Sequence, residues 1–195
     1  MLKIPDHIRG LIFDCDGTIA DTMPMHYRAW SAAFAEHNHT FPESMFYGFA
    51  GMPTIRIIQT LNEKHGYTLP VQATVSRKEQ LFEEMIHEVL PIKPIVALVY
   101  KYEGKIPMAV ASGGTYKLVS KTLAALNLLD KFQAVVTADD VKHGKPAPDI
   151  FLEAARRLNV PATDCAAFED GEMGLQSARA AGMYVVDVRP ITGNP

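Results

Sequence analysis

The chain predicts an α/β protein: a doubly wound parallel sheet with an all-helical segment inserted after its first strand. Two observations carry that expectation. Short apolar runs closed by turn residues alternate with helical patterns, as parallel strands covered by helices on both faces do. The first interval between runs is also far too long. Asp14 to Ser112 covers much more than the roughly 30 residues of one strand–helix–strand unit, whereas Ser112 to Asp139 and Asp139 to Asp170 each fit one.

In order, the apolar runs fall at 11–13, 106–111, 134–136, 165–168 and 184–188, and each reads as a buried strand because it is apolar at successive positions. Helical patterns follow at 116–126, at 148–158 with Pro148 suited to a first turn, and at 172–181 closed by Gly182. The long first interval is helical as well. Tyr27, Trp30 and Phe34 share one face, Ile57, Ile58 and Leu61 another, and Phe82, Met85, Ile86, Val89 and Leu90 a third. The expected division is therefore a core of 1–21 with 93–195 and a helical cap of 22–92, joined through 22–24 and the proline-flanked 91–94.

Composition narrows the function. The 195 residues are 48% hydrophobic and 21% charged, as in ordinary globular proteins. Their 19 Lys+Arg and 22 Asp+Glu leave a net charge of -3 without like-charge blocks, which argues against nucleic acid as a partner. Cys15 and Cys165 are too few for a disulfide framework and read as reduced, buried residues of a cytoplasmic protein. The start MLKIPDHIRG is broken by polar residues, and no run of ~18 apolar residues occurs, so neither a signal peptide nor a membrane span is expected. The oligomeric state stays open, a monomer being the simplest case.

Four stretches carry chemistry. Asp14 and Asp16 follow an apolar strand, and positions i and i+2 of an extended chain point the same way, so both carboxyls can reach one pocket at the sheet's C-terminal edge; Gly17 permits the turn that follows. A calcium loop fails here, since Ile19 and Met25 stand where glycine and glutamate are needed. Carboxylates that merely cap a helix remain the competing reading of a bare D-x-D. Ser112-Gly113-Gly114-Thr115 lies between a strand and a helix, where a hydroxyl and open backbone N–H groups suit a phosphoryl oxygen, or simply form a tight turn. Lys145, between Gly144 and Pro146, is a restrained cation. Glu169-Asp170 ends a buried strand, where adjacent acids are costly unless they meet a cation, and oxygen-only donors favour Mg²⁺.

Together FDCDGTIADT, VASGG, KPAPD and FEDGEMG, in this order over nearly the whole chain, resemble the four motifs of the haloacid dehalogenase superfamily of phosphohydrolases. The insertion resembles the cap of the subgroup that includes β-phosphoglucomutase and sugar-phosphate phosphatases. The resemblance implies a Rossmann-like core and a small helical cap. It implies Asp14 as nucleophile through an aspartyl-phosphate, Asp16 as acid/base, and Ser112, Gly113 and Lys145 around the phosphoryl group. Mg²⁺ is implied between Asp14, Asp170 and the backbone carbonyl of Asp16, with Glu169 beside it. Two carboxyls in different surroundings can divide the work, one ionised on the metal and the other holding a proton near neutral pH. His26 is the candidate cap residue over the site, against the reading of a surface histidine.

The loop Gly51-Met52-Pro53-Thr54-Ile55-Arg56 is similar to the subgroup's cap loop, but Thr54 stands near where the mutase has an arginine. Gly113-Gly114 also replace more polar residues. Both departures favour a hydrolase of a small phosphorylated metabolite, a sugar phosphate such as fructose 1-phosphate. A phosphomutase using the same residues is the first rival. A non-enzymatic phospho-acceptor domain is the second, which the D-x-D-G-T spacing and the insertion disfavour.

Overall fold

The computed structural model describes residues 4–49 and 52–192; Gly51 of the cap loop and the ends of the expected core lie outside them. In chain order the elements are β1 (Gly10–Phe13), β2 (Ala20–Asp21), α1 (Met23–Ala35), α2 (Glu43–Gly48), α3 (Thr54–His65), α4 (Val71–Met85), β3 (Leu90–Pro91), α5 (Lys93–Tyr102), β4 (Met108–Ala111), α6 (Tyr116–Ala125), β5 (Ala134–Val136), α7 (Asp149–Leu158), β6 (Cys165–Glu169), α8 (Glu172–Ala180), β7 (Tyr184–Asp187) and α9 (Arg189–Thr192).

Five strands form one parallel sheet in the order β5-β4-β1-β6-β7, with β1 at its centre and Phe13 opposite both Val110 and Phe168. Because side chains alternate along a strand, the sheet sorts its residues into two layers. Leu11, Phe13, Met108, Val110 and Phe168 pack against α5 and α6, while Ile12, Ala109, Ala111, Cys165 and Ala167 pack against α7 and α8. Small residues on the second face let α7 lie close, with Ile150, Phe151, Ala154 and Leu158 turned inward. Full burial on both faces holds for β1, β4 and β6; at the edge, Tyr184 of β7 is exposed, so the expectation fails for the outer strands.

The helices α1 to α4 bury Trp30, Phe34, Phe41, Phe46, Ile58 and Leu61 in a cluster of their own. A second face of this layer, with Met25, Ala29 and Phe82, joins the sheet's larger core. Two expectations need correction here. Leu90 does not continue the face of Phe82 and Ile86, because a 3₁₀ turn over Ile86–Glu88 changes the rotation and leaves Leu90 exposed in β3. The stretches 22–24 and 91–94, expected as the two connections, fall largely inside helices instead. Met23 and Pro24 already belong to α1, Lys93 and Pro94 to α5, and the two crossings are zipped together as the antiparallel pair β2–β3.

Candidate active site

Asp14 directly follows β1, and its backbone N–H donates to the Phe168 carbonyl at 2.9 Å, so the ladder continues past the strand and fixes where the side chain leaves it. Glu169 is the last residue of β6 and Asp170 the next. Lys145 reaches into this corner from its loop, where the Lys145–Pro146 peptide is cis, and its Nζ donates to Asp14 Oδ1 and to Glu169 Oε2, each at 2.6 Å. Asp170 accepts a hydrogen bond of 2.8 Å from the Thr18 hydroxyl. Two glycines make the corner possible. A Cβ on Gly17, which has φ +84, would stand 2.2 Å from the Asp170 carboxylate, and one on Gly174 would stand 2.1 Å from Glu169.

Three carboxylates against one ammonium leave this buried corner short of positive charge. Burial raises Asp14 above the ordinary aspartate range despite Lys145, and burial with the neighbouring Asp14 charge lifts Glu169 to about 8 and Asp170 to about 7. Burial works against the Lys145 charge, but Asp14 and Glu169 outweigh it and push that pKa up. Oxygens of Asp14, Glu169 and Asp170 lie within 4.8 Å of one another. An all-carboxylate donor set in a glycine-lined notch fits a hard divalent cation.

Asp16 stands apart from that trio. Its Oδ1 accepts from the Thr22 hydroxyl at 2.7 Å and lies 3.2 Å from His26 Nε2, while Ser112 Oγ donates to Oδ2 at 3.4 Å. Burial raises its pKa, but the bonds from His26 and Thr22 and the charge of Lys78 prevail and hold it at about 2. The expectation that Asp16 keeps a proton near neutral pH is therefore not met in this arrangement; donors converge on it, and it is a carboxylate. Behind it, His26 Nδ1 lies 3.0 Å from Lys78 Nζ, and the imidazole stacks on Phe82 at 4.0 Å and 7°. An ammonium only donates, so Nδ1 accepts and the ring proton sits on Nε2, directed at Asp16. Burial and Lys78 lower the His26 pKa, and burial lowers that of Lys78 to about 8.

All eight expected site residues, Asp14, Asp16, His26, Ser112, Gly113, Lys145, Glu169 and Asp170, line one cavity of about 280 Å³ between the sheet edge and the helical layer. Ser112 is buried, with Gly114 N–H donating to its Oγ at 3.1 Å. Sequence reasoning missed Lys78, Thr22 and Thr18. Cys15 packs in the sheet core, as its position between two outward-facing acids requires. Thr54 lines the cavity; Arg56 does not, being exposed and donating to Gln59 on its own helix at 2.9 Å. Among the described residues no helix is long and apolar enough to cross a membrane.

Residues 8–182 match the sequence model of the haloacid dehalogenase-like hydrolases. The fructose-1-phosphate phosphatase YqaB of Escherichia coli (strain K12) is 42% identical over 92% of this chain and 96% of its own length. The β-phosphoglucomutase of Bacillus subtilis (strain 168) is 30% identical over 93% of this chain and 83% of its own. The crystal structure of CbbY from Rhodobacter sphaeroides in complex with phosphate superposes with a TM-score of 0.83 at 25% identity, covering 91% of this chain and 84% of that one.

Proposed function

This chain belongs to the haloacid dehalogenase-like hydrolases, and we propose that within them it is a Mg²⁺-dependent phosphatase of a small sugar phosphate, such as fructose 1-phosphate. The observation that carries this reading is the corner in which Lys145 ties Asp14 to Glu169 beside Asp170, under a cavity of metabolite size. Asp14 Oδ attacks phosphorus, the ester P–O bond breaks, and an aspartyl-phosphate forms. Lys145 and the open backbone at Gly113 hold phosphoryl oxygens, and Ser112 orients beside them. Asp14, Asp170, Glu169 and the Asp16 carbonyl would hold Mg²⁺, whose positive charge would let a carboxylate approach a phosphate dianion. As the ester bond breaks, the leaving oxygen takes a proton from His26 Nε2–H beside Asp16, and the Lys78 ammonium re-protonates the ring at Nδ1; water then attacks phosphorus, the bond to Asp14 breaks, and the water's proton goes to the Asp16 carboxylate and back along the same chain to Lys78.

Residues 22–92 act in this reading as the cap and 1–21 with 93–195 as the catalytic core, supported by the separate apolar cluster of α1 to α4. The exposed, locally bonded Arg56 and the apolar Gly113-Gly114 favour hydrolysis over phosphoryl return to an isomer. The two free, buried cysteines fit a reducing cytoplasm. The test is phosphate release from fructose 1-phosphate with Mg²⁺, abolished by EDTA and restored by added Mg²⁺. Isomer formation from glucose 1-phosphate with a bisphosphate primer, at negligible phosphate release, would make it a mutase instead.

A further inference from the structure

We infer that Glu79 selects the substrate: its carboxylate accepts hydrogen bonds from hydroxyl groups remote from the phosphate and keeps a second anionic group out of the cavity. The inference rests on the phosphatase reading and narrows it to monophosphates of neutral polyhydroxylated compounds.

Val75, Lys78, Glu79 and Phe82 recur on α4 at helical spacing, so they form one stripe, and all four line the cavity. The stripe has a near and a far end. Phe82 packs in the sheet's core and stacks on the His26 that meets Asp16, whereas Val75 packs against the cluster of the helical layer. Glu79 lies between these two ends, one turn back from Phe82 toward Val75, about 4.5 Å along the helix axis. Of the polar side chains this stripe offers, Lys78 is committed to His26 and lies over the rings of Trp30 and Phe82. Glu79 is half-buried and engages no hydrogen bond or ion pair among the described residues; its charge is felt by Lys78. A carboxylate partly shielded from water needs donors, and sugar hydroxyls are donors.

The same wall refuses a second anion. Among the described residues lining the cavity, the cations are Lys78 and Lys145, the first held by His26 and the second by Asp14 and Glu169. Beyond these two, no described lining residue is a lysine or arginine, and Glu79 adds negative charge to this wall.

The experiment measures kcat/KM of the full chain with Mg²⁺ on fructose 1-phosphate, 6-phosphogluconate, fructose 1,6-bisphosphate and p-nitrophenyl phosphate. Wild type should favour fructose 1-phosphate over the two substrates with a second anion by about tenfold or more. In Glu79→Gln and Glu79→Ala the ratio of fructose 1-phosphate to p-nitrophenyl phosphate should fall about tenfold, the scale of a lost bond to a charged group. Glu79→Lys should shift preference toward the doubly anionic substrates by about tenfold. Each ratio is internal to one preparation, so partial misfolding cancels. Ratios within twofold of wild type in all three variants overturn the inference, as does a wild type that hydrolyses p-nitrophenyl phosphate yet prefers a doubly anionic sugar. A wild type silent on all four overturns the phosphatase reading itself.

Discussion

At the sheet edge, Lys145 stands 2.6 Å from each of two carboxylates and a third lies close by; across the same cavity, the helical layer presents Phe46, Phe49, Met52, Ile55 and Ile57. The first wall is built from charges that the protein would be better without. Buried carboxylates raised to about 7 and about 8 are a standing cost, which the proposed function explains by a cation and a phosphoryl group bound there. The second wall is built from contacts that would suit any apolar core, interrupted at Lys78 and Glu79. Substitution at the edge should therefore remove chemistry, and substitution in the helical layer should move affinity, selectivity or stability.

Asp14→Asn tests the edge most severely. The amide cannot attack phosphorus, so kcat on p-nitrophenyl phosphate should fall about 10⁴-fold or more while the protein stays folded by circular dichroism. Retained turnover would move the nucleophile elsewhere. Asp16→Asn should cost less, about 10²- to 10⁴-fold in kcat, since it removes proton transfer and leaves the attacking carboxylate in place. Equal losses in the two variants would mean that Asp16 does not act separately from Asp14.

The contrast between the walls also explains what could be read from residues alone. The strands β1, β4 and β6 announce themselves because burial on both faces favours apolar residues at successive positions, and the candidate site residues mark their ends: Asp14 and Ser112 directly after β1 and β4, Glu169 as the last residue of β6 and Asp170 next. The β2–β3 pair escaped because a two-residue strand has no period, and its pairing joins positions as distant as Asp21 and Leu90. Lys78 escaped because it sits in the charged run Arg77-Lys78-Glu79, which resembles a solvated helix face. Its signal was spacing: Thr74 and Phe82, four residues to either side, are buried, and so is Lys78.

Lys78 supplies the third prediction. Burial lowers it from 10.5 to about 8, so between those values the unfolded chain holds a proton that the folded chain has released. Stability relative to Lys78→Met should therefore climb as pH rises from about 8 to about 10.5, by up to about 3 kcal/mol, and stay level below 8, where both states are protonated. Urea unfolding of both proteins at pH 7, 8 and 10 measures it. Parallel curves would mean that the ammonium is not desolvated, and the helical wall would lose its one strongly perturbed cation.

The smallest expected effect lies where the two walls are fastened together on the outside. Glu83 of α4 accepts hydrogen bonds from Lys117, at 2.6 Å, and from Lys121, both on α6 beneath the sheet edge's own layer. The lysines are half-exposed or more, so water and salt compete for all three groups, and such pairs contribute little to stability. Their position still matters, because they join the helix that carries Lys78, Glu79 and Phe82 to the helix that follows Ser112-Gly113-Gly114. Glu83→Gln should raise KM for a sugar phosphate by less than about threefold, with kcat held, and should flatten the dependence of KM on NaCl between about 0.05 and 0.5 M. A tenfold rise in KM would show that this surface contact, rather than the packing of Met25, Ala29 and Phe82 on the sheet's core, sets how the helical layer sits over the reactive edge.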